Sequence, residues 1–388
     1  MDSGLGGGPK LPGRGPILIV SEYGTINGGE NSLLAVLPSL IEKGFVFEAA
    51  VPGHSAFAHA LSAAGVRVYE FSFMDCEAVR KSQADIRAEL VELIRCTRPL
   101  LLHCNSLASS RICGPVAKQT STPAVGYLRD ILNLSRRAIE DINQLDQIVA
   151  VSAATRQWHV ERGMDASNTI VIHNGIDVQA FAGSPSRPEL FNALGIEPDD
   201  HVLLSVGQIG MRKGLDVLLE AIELISTTKP VHMLIAGERY STKAEAVEYE
   251  QNLREKAAIL SRASDLAVHF IGLRSDVPDL MHHSTLLLHP ARQEPLGRVL
   301  LEACAAGLPV VTTDVGGSPE IFASADQAGQ LVPAGDAPVL AGRVESILDS
   351  PEIRHQFGIT NRRQVESRFT IERCAQALAE VYGKLIRR

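Results

Sequence analysis

The segment HPARQEPLGRVLLEACAAGLPVVTTDVGGSPEIF, residues 289–322, shows an alternation of strand and helix that is typical of a parallel sheet. A strand ends near His289, and we predict a loop, a helix from about Leu296 to Ala306, and a second strand at Val310–Thr313. Gly307 ends this helix in the prediction, because glycine readily adopts the left-handed conformation found after many helices. Strand, helix and strand in this order predict a βαβ unit in a parallel sheet.

Short apolar runs alternate with helix-length segments through the rest of the chain in the same way. The first series of predicted strands comprises Ile17–Val20, Phe45–Val51, Val66–Phe71, Leu100–His103, Ala124–Leu128, Gln147–Val151 and Thr169–Ile172. The pattern then restarts, with predicted strands at Val202–Val206, Val231–Ala236, Val268–Ile271 and Thr285–His289. Two such series predict an α/β protein of two doubly wound, Rossmann-like domains that face each other across a cleft. Ligands bind at the carboxyl ends of the strands in such sheets, so the loops there are the candidates for chemistry.

The domain boundaries follow from this restart of the pattern. Residues 1–15 are rich in glycine and lack the apolar core of a signal peptide, so we predict a disordered leader. We predict an N-terminal domain over residues 16–180 and a C-terminal domain over residues 181–370. An amphipathic helix over residues 371–388 ends the chain, with one apolar stripe formed by Ala375, Leu378, Val381 and Leu385.

Composition argues against several classes of function. The 388 residues carry a net charge of −8, so bulk attraction to nucleic acid or anionic lipid is not expected. None of the six cysteines forms a CxxC pair, and buried thiols in a reducing cytoplasm are the expected state. No apolar run approaches the roughly 20 residues that span a bilayer. We therefore expect a cytoplasmic protein without nucleic-acid partners, and peripheral contact with the inner face of a membrane stays open.

The start of the helix that follows residue 294 is suited to binding an anion. Its first turn offers the backbone N–H groups of Leu296, Gly297, Arg298 and Val299, which lie at the positive end of the helix dipole. Glu294 precedes this turn, and Glu302 lies in the second turn. Carboxylates so close to a diphosphate would be repelled, so we expect them to bind hydroxyls, one of a sugar and the other of a ribose. The alternative is that both are solvated acidic residues near a helix start.

The spacing Glu294-x7-Glu302, followed by Gly307-x-Pro-Val-Val, resembles the signature of the retaining glycosyltransferase family 4, which has the GT-B fold. The resemblance covers nearly the whole chain. It implies that Glu294 binds hydroxyls of the donor sugar, that the backbone from Leu296 to Arg298 binds the sugar and the diphosphate, and that Glu302 binds the ribose. It also implies that the N-terminal domain binds the acceptor and that the C-terminal helix crosses back to that domain.

A second loop, GQIGMRKG at residues 207–214, follows the first strand of the C-terminal domain. In the family, an arginine and a lysine in this loop clamp the diphosphate. Lys213 keeps the lysine, Gln208 stands where arginine is usual, and Arg212 is a candidate for the missing cation. The resemblance implies that Lys213 stabilises the leaving phosphate. The alternative is an ordinary basic start of a helix, although such charge opposes the dipole there.

In the N-terminal domain the resemblance points to two loops at strand ends. Gly28 and Gly29 open a helix and are implied to lie beside the donor phosphate, although two glycines also form ordinary tight turns. Asn105 follows the strand Leu100–His103, where many family members have a histidine that contacts the donor sugar near the reacting carbon. Asparagine can donate to a sugar hydroxyl but cannot act as a base. His103 itself is expected to pack inside the sheet.

Arg129 and Asp130 end a further predicted strand, Ala124–Leu128. Both side chains can bind hydroxyls of an acceptor, and both can equally pair with each other across the loop. The sequence leaves these two interpretations open.

Taken as a whole, the resemblance implies a retaining hexosyltransferase. We expect transfer from a UDP-sugar, with UDP-glucose as the first choice, to a hydroxyl of a glycan or of a lipid-linked acceptor. No Asp-x-Asp sequence is present to bridge a diphosphate through a divalent ion, so neither a metal nor another cofactor is expected. Glu294, Lys213 and Asn105 are the expected catalytic residues. A nucleotide-sugar epimerase and a catalytically silent nucleotide-sugar-binding protein are the alternatives.

Overall fold

The computed structural model describes residues 15–183, 189–263, 266–323 and 329–387 of the chain. All of the predicted leader except Gly15 lies outside this part. The chain divides into two compact units: unit 1 runs to Gly175 and includes the C-terminal helix Ile371–Ile386, and unit 2 runs from Ile176 to Thr370. The sequence pattern places the boundary after residue 180. It lies earlier because the N–H of Ile176 already donates to the carbonyl of Phe369, at 2.8 Å, within unit 2.

Unit 1 is built on a parallel sheet covered by helices. Its strands are β1 (Ile17–Val20), β2 (Phe47–Val51), β3 (Arg67–Glu70), β4 (Leu101–Cys104), β5 (Ala124–Leu128), β6 (Gln147–Ala150) and β7 (Thr169–Val171). Between them lie the helices α1 (Gly28–Glu42), α2 (Ala56–Ala63), α3 (Gln83–Thr97), α4 (Leu107–Thr120), α5 (Arg136–Ile142) and α6 (Ala153–Val160). The described strands pair in the order β3-β2-β1-β4-β5-β6-β7, and every pair is parallel. The strands β1, β4 and β5 are buried along their whole length, as expected where helices cover both faces of a sheet.

Unit 2 repeats this architecture with a shorter sheet. Its strands are β8 (His201–Val206), β9 (Val231–Ala236), β10 (Leu266–Gly272), β11 (Leu286–His289), β12 (Val310–Thr313) and β13 (Leu331–Val332). Its helices are α7 (Glu189–Ala193), α8 (Leu215–Leu224), α9 (Ala244–Ala263), α10 (Val277–His283), α11 (Arg298–Ala305), α12 (Ser318–Ile321), α13 (Ala337–Leu348) and α14 (Pro351–Arg368), with 3₁₀ turns at Gln179–Phe181 and Met211–Lys213. The described strands pair in the order β10-β9-β8-β11-β12-β13, all parallel.

In each sheet the strand order reverses beside the first strand of the unit. β1 lies between β2 and β4 in unit 1, and β8 lies between β9 and β11 in unit 2. The chain leaves neighbouring strands in opposite directions at such a point, which makes its carboxyl edge the usual ligand position in a doubly wound sheet. Predicted site residues follow these strands, with Gly28 and Gly29 after β1, Asn105 after β4, Lys213 after β8 and Glu294 after β11.

The C-terminal helix packs against the sheet of unit 1 through Tyr382. This ring is fully buried and lies 5.5 Å from the ring of Phe45, centroid to centroid. Its hydroxyl lies 2.6 Å from Nδ1 of His103, so the predicted packing of His103 inside the sheet is confirmed. Three members of the predicted apolar stripe are buried as well, namely Ala375, Leu378 and Leu385.

The predicted fold class, α/β with two doubly wound parallel sheets, is confirmed. The core of unit 2 lies between its sheet and helices α8 and α13, and it includes Leu203, Leu218, Leu288 and Val344. The expectation of buried thiols is met by Cys104, Cys113, Cys304 and Cys374. The remaining two, Cys76 and Cys96, are exposed.

Candidate active site

Two loops of unit 2 meet where the strand order reverses. They follow β8 and β11, which are neighbouring parallel strands, so their carboxyl ends lie at the same edge of the sheet. The backbones of the two loops touch at Gly214, which has a φ of +67°, a value that favours glycine. A Cβ atom at this position would lie 2.0 Å from the carbonyl oxygen of Pro290. Only glycine therefore allows the β8 loop to lie this close to the β11 loop.

Glu294 forms a buried ion pair with Lys213 across this junction. Oε2 of Glu294 lies 2.6 Å from Nζ of Lys213 and 2.8 Å from Nε2 of His289, and Glu294 is 7% exposed. Burial opposes ionisation of this carboxyl, but the charge of Lys213 and the hydrogen bond from His289 outweigh it and hold the pKa of Glu294 well below its usual range. The site therefore holds an ionised carboxylate that can accept hydrogen bonds and a cation beside it.

His289 is neutral in this arrangement. Burial lowers the pKa of His289, and the charge of Lys213 lowers it further, against the opposing effect of Glu294. Because an ionised carboxylate can only accept, Nε2 of His289 must carry the hydrogen and donate it to Glu294. His289 is not among the site residues that the sequence predicts. The feature that points to it is its position as the last residue of β11, five residues before Glu294.

The backbone around Glu294 is fixed on both sides. Its carbonyl oxygen accepts a hydrogen bond of 2.9 Å from the N–H of Gly317, the residue that precedes α12. On the other side, Gly297 has a φ of +98°, and a Cβ atom there would lie 2.6 Å from Cδ1 of Leu300 and 3.3 Å from Cγ of Glu294. The main chain of Glu294 is thus tied to Gly317, and Gly297 lies against its side chain.

Helix α11 begins two residues later than the sequence predicts. Gly297 is the N-cap in a left-handed conformation, so Leu296 and Gly297 precede the helix, and the first turn starts at Arg298 and Val299. The predicted end is confirmed: Gly307 has a φ of +70°, and its N–H donates to the carbonyl of Cys304 at 3.0 Å. The positive end of the helix dipole therefore lies directly after the Glu294 loop.

Glu302 lies in the second turn of α11 and is held by Arg298. Nε of Arg298 donates to Oε1 of Glu302 at 2.7 Å, one helical turn away. Burial raises the pKa of Glu302, and Arg298 only partly opposes this. The side chain of Glu302 is only 16% exposed, so it is not the solvated acidic residue of the alternative interpretation.

The other two predicted residues of the β8 loop differ in their contacts. Nη1 of Arg212 donates to the carbonyl oxygen of Gln293 at 3.2 Å, which places this second cation against the β11 loop. Gln208 is exposed on the segment between β8 and the 3₁₀ turn Met211–Lys213. Gln208 shares the loop with Lys213, but the structure gives it no contact with the Lys213–Glu294 pair among the described residues.

A separate cluster lies at the carboxyl edge of the unit 1 sheet. All three nitrogens of the Arg129 guanidinium are engaged: Nε and Nη2 each donate at 3.0 Å to the main-chain and side-chain oxygens of Asn105, and Nη1 donates to Oδ1 of Asn174 at 3.1 Å. The guanidinium carbon also lies 4.2 Å from the centre of the Tyr127 ring. The Arg129 guanidinium therefore binds Asn105 and Asn174 with all three of its nitrogens.

The amide of Asn105 has a fixed orientation and one open donor. Asn105 is 1% exposed, and because its Oδ1 accepts from Arg129, the amide nitrogen Nδ2 must point the other way. Nδ2 has no hydrogen-bond partner in the described part of the chain. Buried amide groups normally have partners, so a buried Nδ2 without one is unusual. The main-chain oxygen of Asp130, the next residue after Arg129, lies 2.8 Å from Nε2 of His159.

Gly29 lies beside this cluster, and Gly28 does not touch it. A Cβ atom on Gly29 would lie 3.1 Å from Cδ of Arg129 and 4.0 Å from Nδ2 of Asn105, whereas a Cβ atom on Gly28 would meet nothing within 4 Å. Both glycines are the first residues of α1 rather than a loop before it. The helix starts early because Asn27 is its N-cap, and the N–H of Asn27 donates to Oε2 of Glu30 at 3.1 Å.

Two family models match the chain, one on each half. The model described as Glycosyltransferase Family 4 matches residues 26–180, and the model described as Glycosyl transferases group 1 matches residues 186–364. The second match contains the Lys213–Glu294 pair and Glu302, and the first contains Gly29, Asn105 and Arg129.

Curated relatives align with about two thirds of the chain. The lipopolysaccharide core biosynthesis mannosyltransferase LpsB of Rhizobium meliloti is 27% identical over 280 residues, which are 68% of this chain and 77% of LpsB. The spore coat protein SA of Bacillus subtilis is 30% identical over 253 residues, 63% of this chain and 66% of that protein. The lipopolysaccharide glucosyltransferase WaaG of Escherichia coli is 40% identical over a shorter stretch of 145 residues, 37% of this chain and 36% of WaaG.

Solved structures share the fold over nearly the whole chain. The structure of Anabaena Alr3699/HepE in complex with UDP and glucose superposes with a TM-score of 0.82 at 22% identity, covering 95% of this chain and 99% of that one. The structure of WaaG, a glycosyltransferase involved in lipopolysaccharide biosynthesis, gives a TM-score of 0.71 at 18% identity, covering 94% of this chain and 99% of that one.

Proposed function

This chain belongs to glycosyltransferase family 4, the group 1 glycosyl transferases of GT-B fold. We propose that it moves a hexose from a UDP-sugar to a hydroxyl of a glycan or lipid-linked acceptor. UDP-glucose is the proposed first donor. The proposed reaction retains the configuration of the anomeric carbon and needs no metal ion. HepE of Anabaena has been solved with UDP and with glucose, which supports uridine as the base.

The observation that carries this proposal is the buried Lys213–Glu294 pair beside the start of α11. An ionised carboxylate without room for a second anion is suited to neutral hydroxyl donors, and the sugar of the donor offers several. Lys213, 2.6 Å from that carboxylate, is a cation placed to neutralise a phosphate oxygen next to the sugar. Together they match the junction of sugar and diphosphate, where hydroxyls and negative charge lie side by side.

The diphosphate and the ribose are assigned to the residues that follow. The first turn of α11 presents backbone N–H groups and the positive end of the dipole, which favour a diphosphate. Arg212 adds a second cation at the edge of the same loop. Glu302 is assigned to the ribose, because a mostly buried carboxyl with a raised pKa is suited to hydrogen bonds with hydroxyls.

In the proposed step the departing phosphate oxygen itself acts as the base. The bond between the anomeric carbon and the diphosphate oxygen breaks, and the acceptor oxygen bonds to the same face of that carbon. The proton of the acceptor hydroxyl passes to the departing oxygen, whose charge Lys213 and the α11 dipole stabilise. Asn105 cannot take up a proton in this way, and its open Nδ2 donor is assigned to a sugar hydroxyl.

The acceptor is proposed from the relatives alone. LpsB and WaaG carry names that place them in lipopolysaccharide synthesis, which supports a glycan or lipid-linked acceptor for this chain. Among the described residues, no helix combines the length and the apolar character needed to cross a membrane. We propose that contact with a membrane surface, if the acceptor is lipid-linked, is peripheral.

The test is a panel of nucleotide sugars incubated with the purified chain in buffer with EDTA, with and without glycan acceptors. Release of UDP that depends on both a UDP-sugar and an acceptor is the expected result, and NMR of the product should show the anomeric configuration of the donor. Binding of UDP-sugars without turnover under every condition would favour a silent binding protein, and free sugar isomers would favour an epimerase. Turnover that requires an added divalent ion would contradict the metal-independent step.

A further inference from the structure

We propose that Arg292 is a positioning residue, which holds Lys213 in place against Glu294 by binding the chain on both sides of the lysine. Arg292 lies in the β11 loop, two residues before Glu294, and it has no part in the donor contacts assigned above. This inference rests on the proposed function only in so far as Lys213 acts on the diphosphate of the donor.

The contacts of Arg292 surround Lys213 along the chain. Nη1 of Arg292 donates to the carbonyl oxygen of Met211 at 2.9 Å, two residues before the lysine. Nη1 and Nη2 donate to the two carboxylate oxygens of Asp216 at 2.8 and 2.5 Å, three residues after it. The main-chain N–H of Arg292 donates to the carbonyl oxygen of Arg212 at 2.8 Å, next to the lysine itself.

Lys213 depends on such outside contacts because it lies in a 3₁₀ turn of three residues, Met211–Lys213. Such turns are short and have poor hydrogen-bond geometry of their own, so their position is set by what they pack against. Within the turn, the N–H of Lys213 donates to the carbonyl of Gly210 at 2.8 Å. The contacts of Arg292 tie this turn to the same loop that carries Glu294.

The carboxylate that receives Arg292 is itself fixed. The hydroxyl of Tyr249, on α9, donates to Oδ1 of Asp216 at 2.8 Å, and Asp216 lies in the first turn of α8. Burial opposes ionisation of Asp216, but the hydrogen bonds from Arg292 and Tyr249 outweigh it and lower the pKa of this carboxyl. Arg292 therefore has a charged, oriented partner rather than a mobile surface carboxylate.

The arrangement is poorly explained as a device for stability alone. The side chains of Arg292 and Asp216 are 43% and 36% exposed, and ion pairs with that exposure contribute little to folding. What the pair does fix is geometry, because a guanidinium can bind two carboxylate oxygens and a carbonyl at once in one plane. A lysine at position 292 could reach some of these oxygens but not all of them together.

A double-mutant cycle tests whether Arg292 acts through Lys213. UDP affinity is measured by calorimetry, and kcat and KM for the UDP-sugar by UDP release, in the wild type, Arg292→Ala, Lys213→Ala and the double variant. Arg292→Ala is expected to weaken UDP binding and to lower kcat by roughly 10- to 100-fold, since small misplacements of a charged group have effects of this size. The double variant is expected to match Lys213→Ala alone, and Arg292→Lys to recover part of the loss.

The control is Arg362→Ala, which removes an exposed ion pair with Glu366 on α14, far along the chain from both loops. Its constants should equal those of the wild type. Asp216→Asn provides a second variant, expected to resemble Arg292→Ala, should the alanine variant fail to fold. Wild-type constants in Arg292→Ala, or losses that add to those of Lys213→Ala, would overturn the inference while leaving the proposed function intact. A wild type that neither binds UDP nor releases it from any donor would overturn both.

Discussion

Lys213 and Glu294 are 81 residues apart in the chain, yet Nζ of the lysine lies 2.6 Å from Oε2 of the glutamate. Nε2 of His289 donates to the same oxygen at 2.8 Å. When the donor binds, its hydroxyls would donate to the Glu294 carboxylate and its phosphate would pair with Lys213, so both charges would still have partners. The energetic cost of burying both groups is then already met in the folded protein, so the site is prepared before the donor arrives.

Replacing Glu294 by glutamine is expected to leave the fold intact and to lower the rate of transfer by about 100-fold or more. The amide keeps the shape of the side chain and one acceptor oxygen, but it removes the charge that holds Lys213 and accepts the sugar hydroxyls. UDP release measures the rate, and circular dichroism with a thermal scan checks the fold. Glu366→Gln, on the exposed face of α14, serves as the control. A Glu294→Gln variant with the wild-type rate would remove Glu294 from the site.

The approach of the two loops of unit 2 is expected to depend on Gly214. Alanine there is strained at a φ of +67° and would lie 2.0 Å from the Pro290 carbonyl oxygen, so the 3₁₀ turn with Lys213 must move. We expect a loss of about 1–3 kcal/mol in stability and UDP binding weakened on the order of 10-fold. Gly210→Ala is the matched control in the same loop, because its backbone is extended and a Cβ atom there meets nothing within 4 Å. Equal behaviour of the two variants would contradict the close approach of the loops.

Asn105 is expected to act as a hydrogen-bond donor, and Asn105→Asp tests this directly. The aspartate keeps an oxygen for Arg129 but replaces the open Nδ2 donor by a second oxygen. We expect the variant to fold normally and its kcat/KM for the UDP-sugar to fall by roughly 10-fold, the effect of about 1.4 kcal/mol of lost hydrogen bonding. Steady-state kinetics at neutral pH measure the change, and an unaltered kcat/KM would show that Nδ2 contacts nothing in the reaction.

Because of His103, the stability of unit 1 is expected to decrease when the pH is lowered. Burial, aided by the charge of Arg129, lowers the pKa of His103 to about 3, whereas an unfolded histidine titrates near 6.5. Between these values the unfolded chain binds one proton more than the folded chain, so the free energy of unfolding decreases as pH falls through this window. His103→Gln keeps an acceptor for Tyr382 and should reduce the slope by up to about 1.4 kcal/mol per pH unit.

Fluorescence of Trp158 follows this change, since the single tryptophan of the chain lies on α6 of unit 1. Urea unfolding at pH 7, 6, 5 and 4 would give the two slopes. Parallel slopes in the wild type and in His103→Gln would mean that the pKa of His103 is the same in the folded and the unfolded chain.

The sequence is most informative where one residue type has one physical reason to be present. Buried parallel strands read as apolar runs, so β8, β9 and β12 are predicted within a residue of their bounds. Gly307 ends α11 as predicted, because the left-handed residue after a helix is a local requirement. The start of α11 is not predicted, since the left-handed conformation of Gly297 is set by its contacts with Leu300 and Glu294.

Contacts between loops that are distant in the chain cannot be predicted from this single sequence. The sequence suggests an acceptor or the adjacent Asp130 as partners of Arg129, yet its side chain binds Asn105 and Asn174, which lie 24 and 45 residues away. In the same way, nothing near Arg292 in the sequence points to Asp216, 76 residues earlier. Both arginines are brought to their partners by the order of the strands, which a single sequence does not reveal.

The most direct test of the central claim is a calorimetric titration of UDP into the wild type and into Lys213→Ala, both in buffer with EDTA. If Lys213 and Glu294 form the donor site, the wild type binds one UDP, and Lys213→Ala binds UDP at least about 10-fold more weakly. A charged hydrogen bond to a phosphate is worth roughly 1.5–3 kcal/mol. Equal UDP affinity in the two proteins, or no binding of UDP by the wild type, would contradict it.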